Sequence, residues 1–245
     1  MERDVYERMA AQETHHWWFC ARREIIRSLI EKHAAQHRPL RILEAGCGTG
    51  GNLSLLSEFG GVDAFELDDE ACAIARSSGI EVSKGHLPDG IPFGGQKFDL
   101  IVLLDVLEHV REDGESIAAL KQHLASGGRI ILTVPAFAFL WSSHDVKHHH
   151  FRRYRRLDLT GIAASAGLEV ERASYFNFFL FLLIAGVRLL SIGMSNGCSN
   201  DEKLPPPWLN RILRNIFAAE RHLLSRFNLP VGVSLFAILR LPGGK

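Results

Sequence analysis

The stretch Arg41-Ile42-Leu43-Glu44-Ala45-Gly46-Cys47-Gly48-Thr49-Gly50-Gly51 constrains this chain more than any other. An apolar run ends on a carboxylate, a glycine-rich turn follows, and Asn52-Leu53-Ser54-Leu55-Leu56 continues with helical character. A strand, a tight glycine loop and a helix N-terminus, in that order, hold a nucleotide-like ligand at the carboxyl ends of an α/β sheet. Glycine loses more chain entropy on folding than other residues, so a cluster of glycines points to close approach of backbone to a ligand.

The rest of the chain can support such a sheet. Its 245 residues suit one domain, or one domain with a large insertion, and 47% hydrophobic residues allow a full core. Lys plus Arg equal Asp plus Glu at 28 each, so no global field favours nucleic acid. Met1-Glu2-Arg3-Asp4 is charged and reads as no secretory leader. The cysteines Cys20, Cys47, Cys72 and Cys198 are scattered without a CxxC pair, which suits free thiols in a reducing, cytoplasmic compartment.

Periodicity predicts a helix from about Val5 to His37 carrying Trp17 and Trp18, ended by Pro39. Strands are expected at Arg41–Glu44, Val62–Glu66, Ile80–Val82, Phe98–Leu104, Arg129–Val134, Leu168–Ala173 and Val233–Arg240. Helices are expected at Asn52–Glu58, closed by Gly60-Gly61, and at Asp68–Ser78, Glu115–Leu124 and Leu157–Ser165. Alternating strands and helices imply a parallel sheet with right-handed crossovers. The nearly sixty residues before the last strand are too many for a loop. They hold the apolar Phe176–Ile192, a polar turn at Ser195–Lys203, and a helix at Trp208–Phe227. That helix has an apolar stripe and a second face bearing Arg211, Arg214 and Arg221.

The glycine loop alone leaves its ligand open. Gly46, Gly48 and Gly51 satisfy GxGxxG, with Glu66 downstream, which is also the dinucleotide fingerprint of an oxidoreductase. Glu44 favours S-adenosylmethionine instead, because a carboxylate there would repel a pyrophosphate but tolerate a sulfonium ligand with an ammonium group. Further blocks follow: Phe98-Asp99-Leu100-Ile101, Asp105-Val106-Leu107-Glu108-His109-Val110 and Leu124-Ala125-Ser126-Gly127-Gly128. With these, the chain from about Arg41 to Gly167 resembles the class I S-adenosylmethionine-dependent methyltransferases, in their small-molecule branch.

The resemblance implies an α/β fold: a Rossmann-like, seven-stranded, mostly parallel sheet with helices on both faces. Residues 1–38 would form an N-terminal helical lid, residues 39–175 and 231–245 the cofactor domain, and residues 176–230 a helical insertion. It implies a cofactor site of Glu44, Gly46, Cys47, Gly48, Gly50, Asn52, Glu66, Leu67, His86, Leu87, Asp105 and Val106. Glu66 would accept from both ribose hydroxyls, each a donor. His86 stands where the family often has Asp, which shifts adenine recognition toward backbone groups. His109 would cap a helix or face the cofactor.

On the acceptor side, the segment Trp141–Arg156 is dense in functional groups and resembles a bacterial subset of the family at Asp145, His150, Arg153 and Tyr154. His150, or His149, is expected as a general base for a hydroxyl acceptor, because imidazole titrates near neutrality, with Tyr154 orienting the acceptor. The alternative is a solvated histidine loop. His144, Asp145 and His148 are the residues from which a metal site would be drawn. Consecutive loop histidines rarely converge on one ion without a further ligand, so no metal is expected. Lys147, Arg152, Arg153, Arg155 and Arg156 form a local positive field for an anionic acceptor group, or are solvated. The insertion is expected to complete a pocket for a small or lipid-linked acceptor, to form a homodimer face, or to rest peripherally on the inner membrane surface. O-methylation is favoured. A non-catalytic cofactor-binding protein of the same fold is the alternative.

Overall fold

The computed structural model describes residues 10–34, 39–191 and 204–243. The expected ends of the first helix, the polar turn at 195–203 and Cys198 lie outside the described residues.

In chain order the elements are α1 (Trp17–His33), β1 (Leu40–Ala45), α2 (Leu53–Ser57), β2 (Gly60–Glu66), α3 (Asp69–Arg76), β3 (Val82–Lys84) and β4 (Phe98–Leu104). A 3-10 turn (Leu107–His109), α4 (Asp113–Lys121), β5 (Leu124–Pro135), a second 3-10 turn (Ala138–Leu140) and α5 (Ser143–Lys147) follow. Then come α6 (Arg156–Ser165), β6 (Glu169–Phe176), α7 (Phe181–Ser191), α8 (Pro207–Leu224) and β7 (Ser234–Arg240).

The sheet has seven strands in the order β3-β2-β1-β4-β5-β7-β6. The pairs from β3 to β5 are parallel, and β7 runs antiparallel to both β5 and β6. The strand order reverses between β1 and β4, and it is outside the carboxyl ends of strands at such a reversal that open α/β sheets take their ligands.

Both faces of the sheet are covered. Leu103 of β4 packs in one core with Ile117 and Leu120 of α4 and Leu159 of α6. Its neighbours Leu100 and Val102 pack in the other with Ile25, Ile26 and Leu29 of α1 and Phe217 of α8. This period-two division explains the continuous apolar run of β4, and each such side chain contributes about 1.5–3 kcal/mol on burial.

Three expectations are corrected. Gly60 and Gly61 belong to β2 rather than ending α2. A Cβ at Gly60 would lie 2.0 Å from the Leu40 carbonyl oxygen, so the first turn of β2 passes β1 too closely for a side chain. Leu124 starts β5 rather than ending α4, and a register shift against β4 absorbs the Gly127-Gly128 region. In α8, Arg214 and Arg221 do not form an outer basic face; both bind Glu24 of α1 at 2.8 Å. Asn210 of α8 also accepts from the Trp17 backbone N–H at the start of α1, at 2.8 Å. α1 and α8 are thereby tied together on one face of the sheet.

Candidate functional site

The glycine loop joins β1 to α2 at the point where strand order reverses. Gly46, Gly48 and Gly50 all have positive φ, at 73°, 55° and 88°, a region that favours glycine. A Cβ on Gly46 would meet Val106 Cγ1 at 2.8 Å, so Val106 packs directly under the loop. A Cβ on Gly48 would meet nothing within 4 Å. Gly48 thus offers bare backbone to open space, whereas a Cβ on Gly51 would lie 2.5 Å from the Glu13 carboxylate, which covers that end of the loop. Cys47 is buried, and burial pushes its thiol further up than usual, which makes it inert at neutral pH.

Around this loop the carboxylates fall into two kinds. Glu66 is tied down: Oε2 accepts from the Gly48 N–H at 2.9 Å and Oε1 from the Asp68 N–H at 3.1 Å. These bonds hold its carboxylate at the loop, beside Leu67, which is 62% exposed just beyond β2. Glu44 is only half satisfied. Its Oε1 accepts from Asn52 Nδ2 at 3.0 Å, while Oε2 is buried without a partner. Burial raises the Glu44 carboxyl to about 8. An orphaned acceptor beside a bare backbone cradle fits a ligand that carries a cationic donor, as the ammonium of S-adenosylmethionine does.

His86 and Leu87 follow β3. The His86 backbone pairs with Gly90 in both directions, at 3.1 and 3.0 Å, while its ring is solvent-exposed. Leu87 packs on the core beneath. The pairing fixes this edge through the main chain.

Asp105 ends β4 in a positive-φ conformation, φ 59°. Its Oδ1 accepts from Thr133 Oγ1 at 3.1 Å, and Oδ2 is ion-paired with Arg22 of α1. Arg22 stacks on Trp18, with its guanidinium carbon 4.7 Å from the ring centroid. Sequence reasoning missed Arg22. The signal was available, because it interrupts the buried stripe Ala21, Ile25, Ile26, Leu29 and Ile30. A charge inside such a stripe needs a partner.

The acceptor-side segment differs most from expectation. Asp145 is fully buried and holds its neighbours together. It accepts from His150 Nδ1 at 2.9 Å, from Arg153 Nε at 2.8 Å and from the Ser142 N–H at 2.8 Å. Burial alone would raise its carboxyl, but the His150 and Arg153 hydrogen bonds outweigh that and hold it well below the usual range. Asp145 is therefore a permanently ionised clamp. Tyr154 is buried as well, at 2% exposed. Its hydroxyl donates toward Asp113 Oδ2 (3.1 Å) and the Leu107 carbonyl (3.3 Å), and burial raises its pKa. Its backbone bridges Ala136 beyond β5. The positive field dissolves in part, since Arg153 binds Asp145 and Arg152 binds Asp113.

His150 lies with its ring 4.5 Å from that of His109, which sits in the 3-10 turn after β4. Burial, then the neighbouring His150 and His148, push His109 down to about 3, so it is neutral at physiological pH. The rings of His144 and His148 lie nearby, tilted by 32° with centroids 4.0 Å apart. His149, at positive φ, reverses the chain and faces solvent. Of the two histidines considered as base, only His150 reaches the cluster.

The family profile described as a methyltransferase domain matches residues 12–173. A probable S-adenosylmethionine-dependent methyltransferase of Mycolicibacterium smegmatis is 24% identical over 160 residues, covering 63% of this chain and 60% of that protein. A ubiquinone biosynthesis O-methyltransferase of a Ruegeria species is 38% identical over 96 residues, covering 36% of this chain and 38% of that protein. The chain thus matches less than two thirds of either relative's length. Among solved structures, the complex of the Haloferax volcanii Trm112 methyltransferase activator with a methyltransferase aligns at TM-score 0.63 and 16% identity, over 99% of this chain and 100% of that one.

The chain belongs to the methyltransferase-domain family and has its Rossmann-like fold. Membership of this family makes S-adenosylmethionine, rather than a dinucleotide, the ligand of the glycine loop. No helix among the described residues is long and apolar enough to cross a membrane.

Proposed function

We propose that this chain transfers a methyl group to a hydroxyl oxygen of a small or lipid-linked metabolite, and that His150 activates that hydroxyl. The observation that carries the reading is the His150–Asp145 pair. Nδ1 is committed to a buried carboxylate at 2.9 Å, which leaves Nε2 as the acceptor nitrogen of a fixed tautomer. Asp145 lies in α5 and His150 in the loop that follows it, and this segment beyond β5 is tied back to the end of β4 where the Phe151 N–H donates to the Glu108 carbonyl at 2.8 Å.

Glu44, Asn52, the Gly46–Gly50 turn, Glu66, Asp105 and Val106 are the residues that would hold the cofactor, with His86 and Leu87 at its far edge. When bound, the cofactor supplies an electrophilic methyl carbon for in-line displacement. The chain's own work is to place the acceptor, exclude water and lower the cost of deprotonating it. Asp145 and Tyr154 act behind this surface: the first orients His150, the second anchors its loop.

The O-methylation reading is supported by likeness to a ubiquinone biosynthesis O-methyltransferase. A lipid-linked acceptor is supported by exposed apolar side chains on the insertion, Leu182 and Leu183 of α7 and Trp208 and Ile212 of α8. Such a surface could rest on a bilayer, and flotation with anionic vesicles tests that contact. The activity is tested with S-adenosylmethionine carrying a labelled methyl group and a panel of phenols, catechols and prenylated phenols. Label should enter an ether, and His150→Ala should lose most of the rate. Label entering nitrogen or carbon, or unchanged turnover in His150→Ala, overturns the reading.

A further inference from the structure

Among the described residues, Glu108, His109 and His150 each place one donor atom so that the three lie within 4.8 Å of one another. These are not the residues from which adjacency in sequence would assemble a metal site. Two come from the turn after β4 and one from the loop after β5, brought together by the bond from the Phe151 N–H to the Glu108 carbonyl. We propose that Glu108, His109 and His150 bind one divalent transition-metal ion, of the zinc, cobalt or manganese kind, beside the cofactor crevice.

Three observations carry this. First, the His150 imidazole already has one nitrogen engaged as a donor: Nδ1 binds Asp145 Oδ1 at 2.9 Å, and the His109 ring stands edge-on to it with centroids 4.5 Å apart. Metal-binding histidines are fixed in this way, by a carboxylate or carbonyl on the far nitrogen, which leaves the near lone pair for the ion. Second, Glu108 is 1% exposed, and its Oε2 is buried without a hydrogen-bond partner. A carboxylate oxygen left bare in the interior is costly, and a cation there removes the cost. Third, the neighbouring cations are spoken for: Arg22 by Asp105 and Arg153 by Asp145.

The donor set decides the kind of ion. Ligands at about 2.0–2.2 Å from a shared ion are themselves about 3–3.5 Å apart, so small side-chain rotations close the observed spacing. Two imidazoles with one carboxylate suit zinc, cobalt, iron or manganese and leave coordination positions open, whereas magnesium and calcium prefer oxygen alone. A hydroxyl taken into an open position loses its proton more easily. This role rests on the O-methylation reading: the ion, held by His150, would then be what activates the acceptor. Whether the ion binds does not depend on that reading.

The full-length chain, stripped with chelator and dialysed, is titrated with Co2+ and Zn2+ by calorimetry and by the visible absorption of cobalt. One ion per chain should bind, and Zn2+ should raise the melting temperature. Glu108→Gln and His150→Ala should each weaken binding about tenfold or more, as loss of a ligand does, while His149→Ala, on the solvent side, should leave it unchanged. Absence of saturable binding to the unaltered chain overturns the site, as does equal affinity in all three variants. Activity then separates the two readings. Turnover of a hydroxyl acceptor that survives chelation but falls in His150→Ala overturns the ion's role and keeps the imidazole as base. Saturable, ligand-dependent metal binding without O-methylation keeps the site and overturns the acceptor assignment.

Discussion

Arg22 of α1 is ion-paired with Asp105 just beyond the carboxyl end of β4, so a buried charge pair ties the N-terminal helix to the end of a central strand. Arg22 is 5% exposed, its Nε has no partner, and Asp105 is held in a positive-φ backbone. Removing one partner of a buried pair leaves an uncompensated charge. Arg22→Met is expected to cost about 3–5 kcal/mol in urea unfolding. Pairing it with Asp105→Asn should recover part of that loss. A purely additive double mutant would show that the pair is not coupled.

Glu44 gives cofactor binding a pH dependence of definite sign. Its carboxyl is raised to about 8 by burial, so below that pH the empty site holds it protonated and neutral. A bound ammonium favours the carboxylate, so binding must release a proton below pH 8. Affinity for S-adenosylhomocysteine, measured by calorimetry, should rise up to about tenfold per pH unit between pH 6 and 8. It should flatten near pH 8, where an α-amino group itself begins to lose its proton at about 7.7–8.0. In Glu44→Gln the rise should vanish. A slope that persists in that variant assigns it to another group.

Gly46 and Gly48 should respond differently to the same added methyl. Gly46→Ala puts a Cβ 2.8 Å from Val106, so it should destabilise the fold by about 1–3 kcal/mol and lower the melting temperature. Gly48→Ala meets open space, so its stability cost is that of positive φ alone, about 1–2 kcal/mol. Its main effect should be on cofactor affinity, lowered tenfold or more. Equal cofactor affinity in Gly48→Ala and the unaltered chain would place the ligand elsewhere.

Glu220 of α8 makes stability depend on pH away from the crevice. It is fully buried, its Oε1 accepts from the Phe179 N–H at 2.9 Å, and its Oε2 has no partner. Burial raises its carboxyl to about 7 from an ordinary 4.5. The folded state therefore binds a proton more tightly than the unfolded chain does. Its contribution is fully present below pH 4.5 and is lost as pH rises to 7, by about 2–3 kcal/mol. Glu220→Gln keeps an acceptor for Phe179 and should remove this slope, making the variant the more stable form at pH 8. If denaturant midpoints of the two proteins keep a constant offset from pH 5 to 8, Glu220 is not the titrating group.

The sequence by itself determined the sheet and the grouping of one half of the candidate site. Strand–glycine–helix order, Glu44 before the loop, Glu66 after it and Asp105-Val106 beyond a central strand are local patterns, and the structure gathers them at the strand-order reversal between β1 and β4. They are legible because cofactor-side residues lie at the ends of strands whose order the βαβ rule fixes. The other half depends on contacts between segments distant in sequence. Tertiary packing alone decided that Tyr154 turns to Asp113, that Asp145 is a buried clamp for Arg153, and that Arg22 pairs with Asp105. It also decided that His150 meets Glu108 and His109 rather than its neighbours in sequence alone. Spacing along a chain reports which side chains share one element's face. Which charges are taken out of water, and with whom, is settled only when separate elements close on one another and each buried group must find its partner.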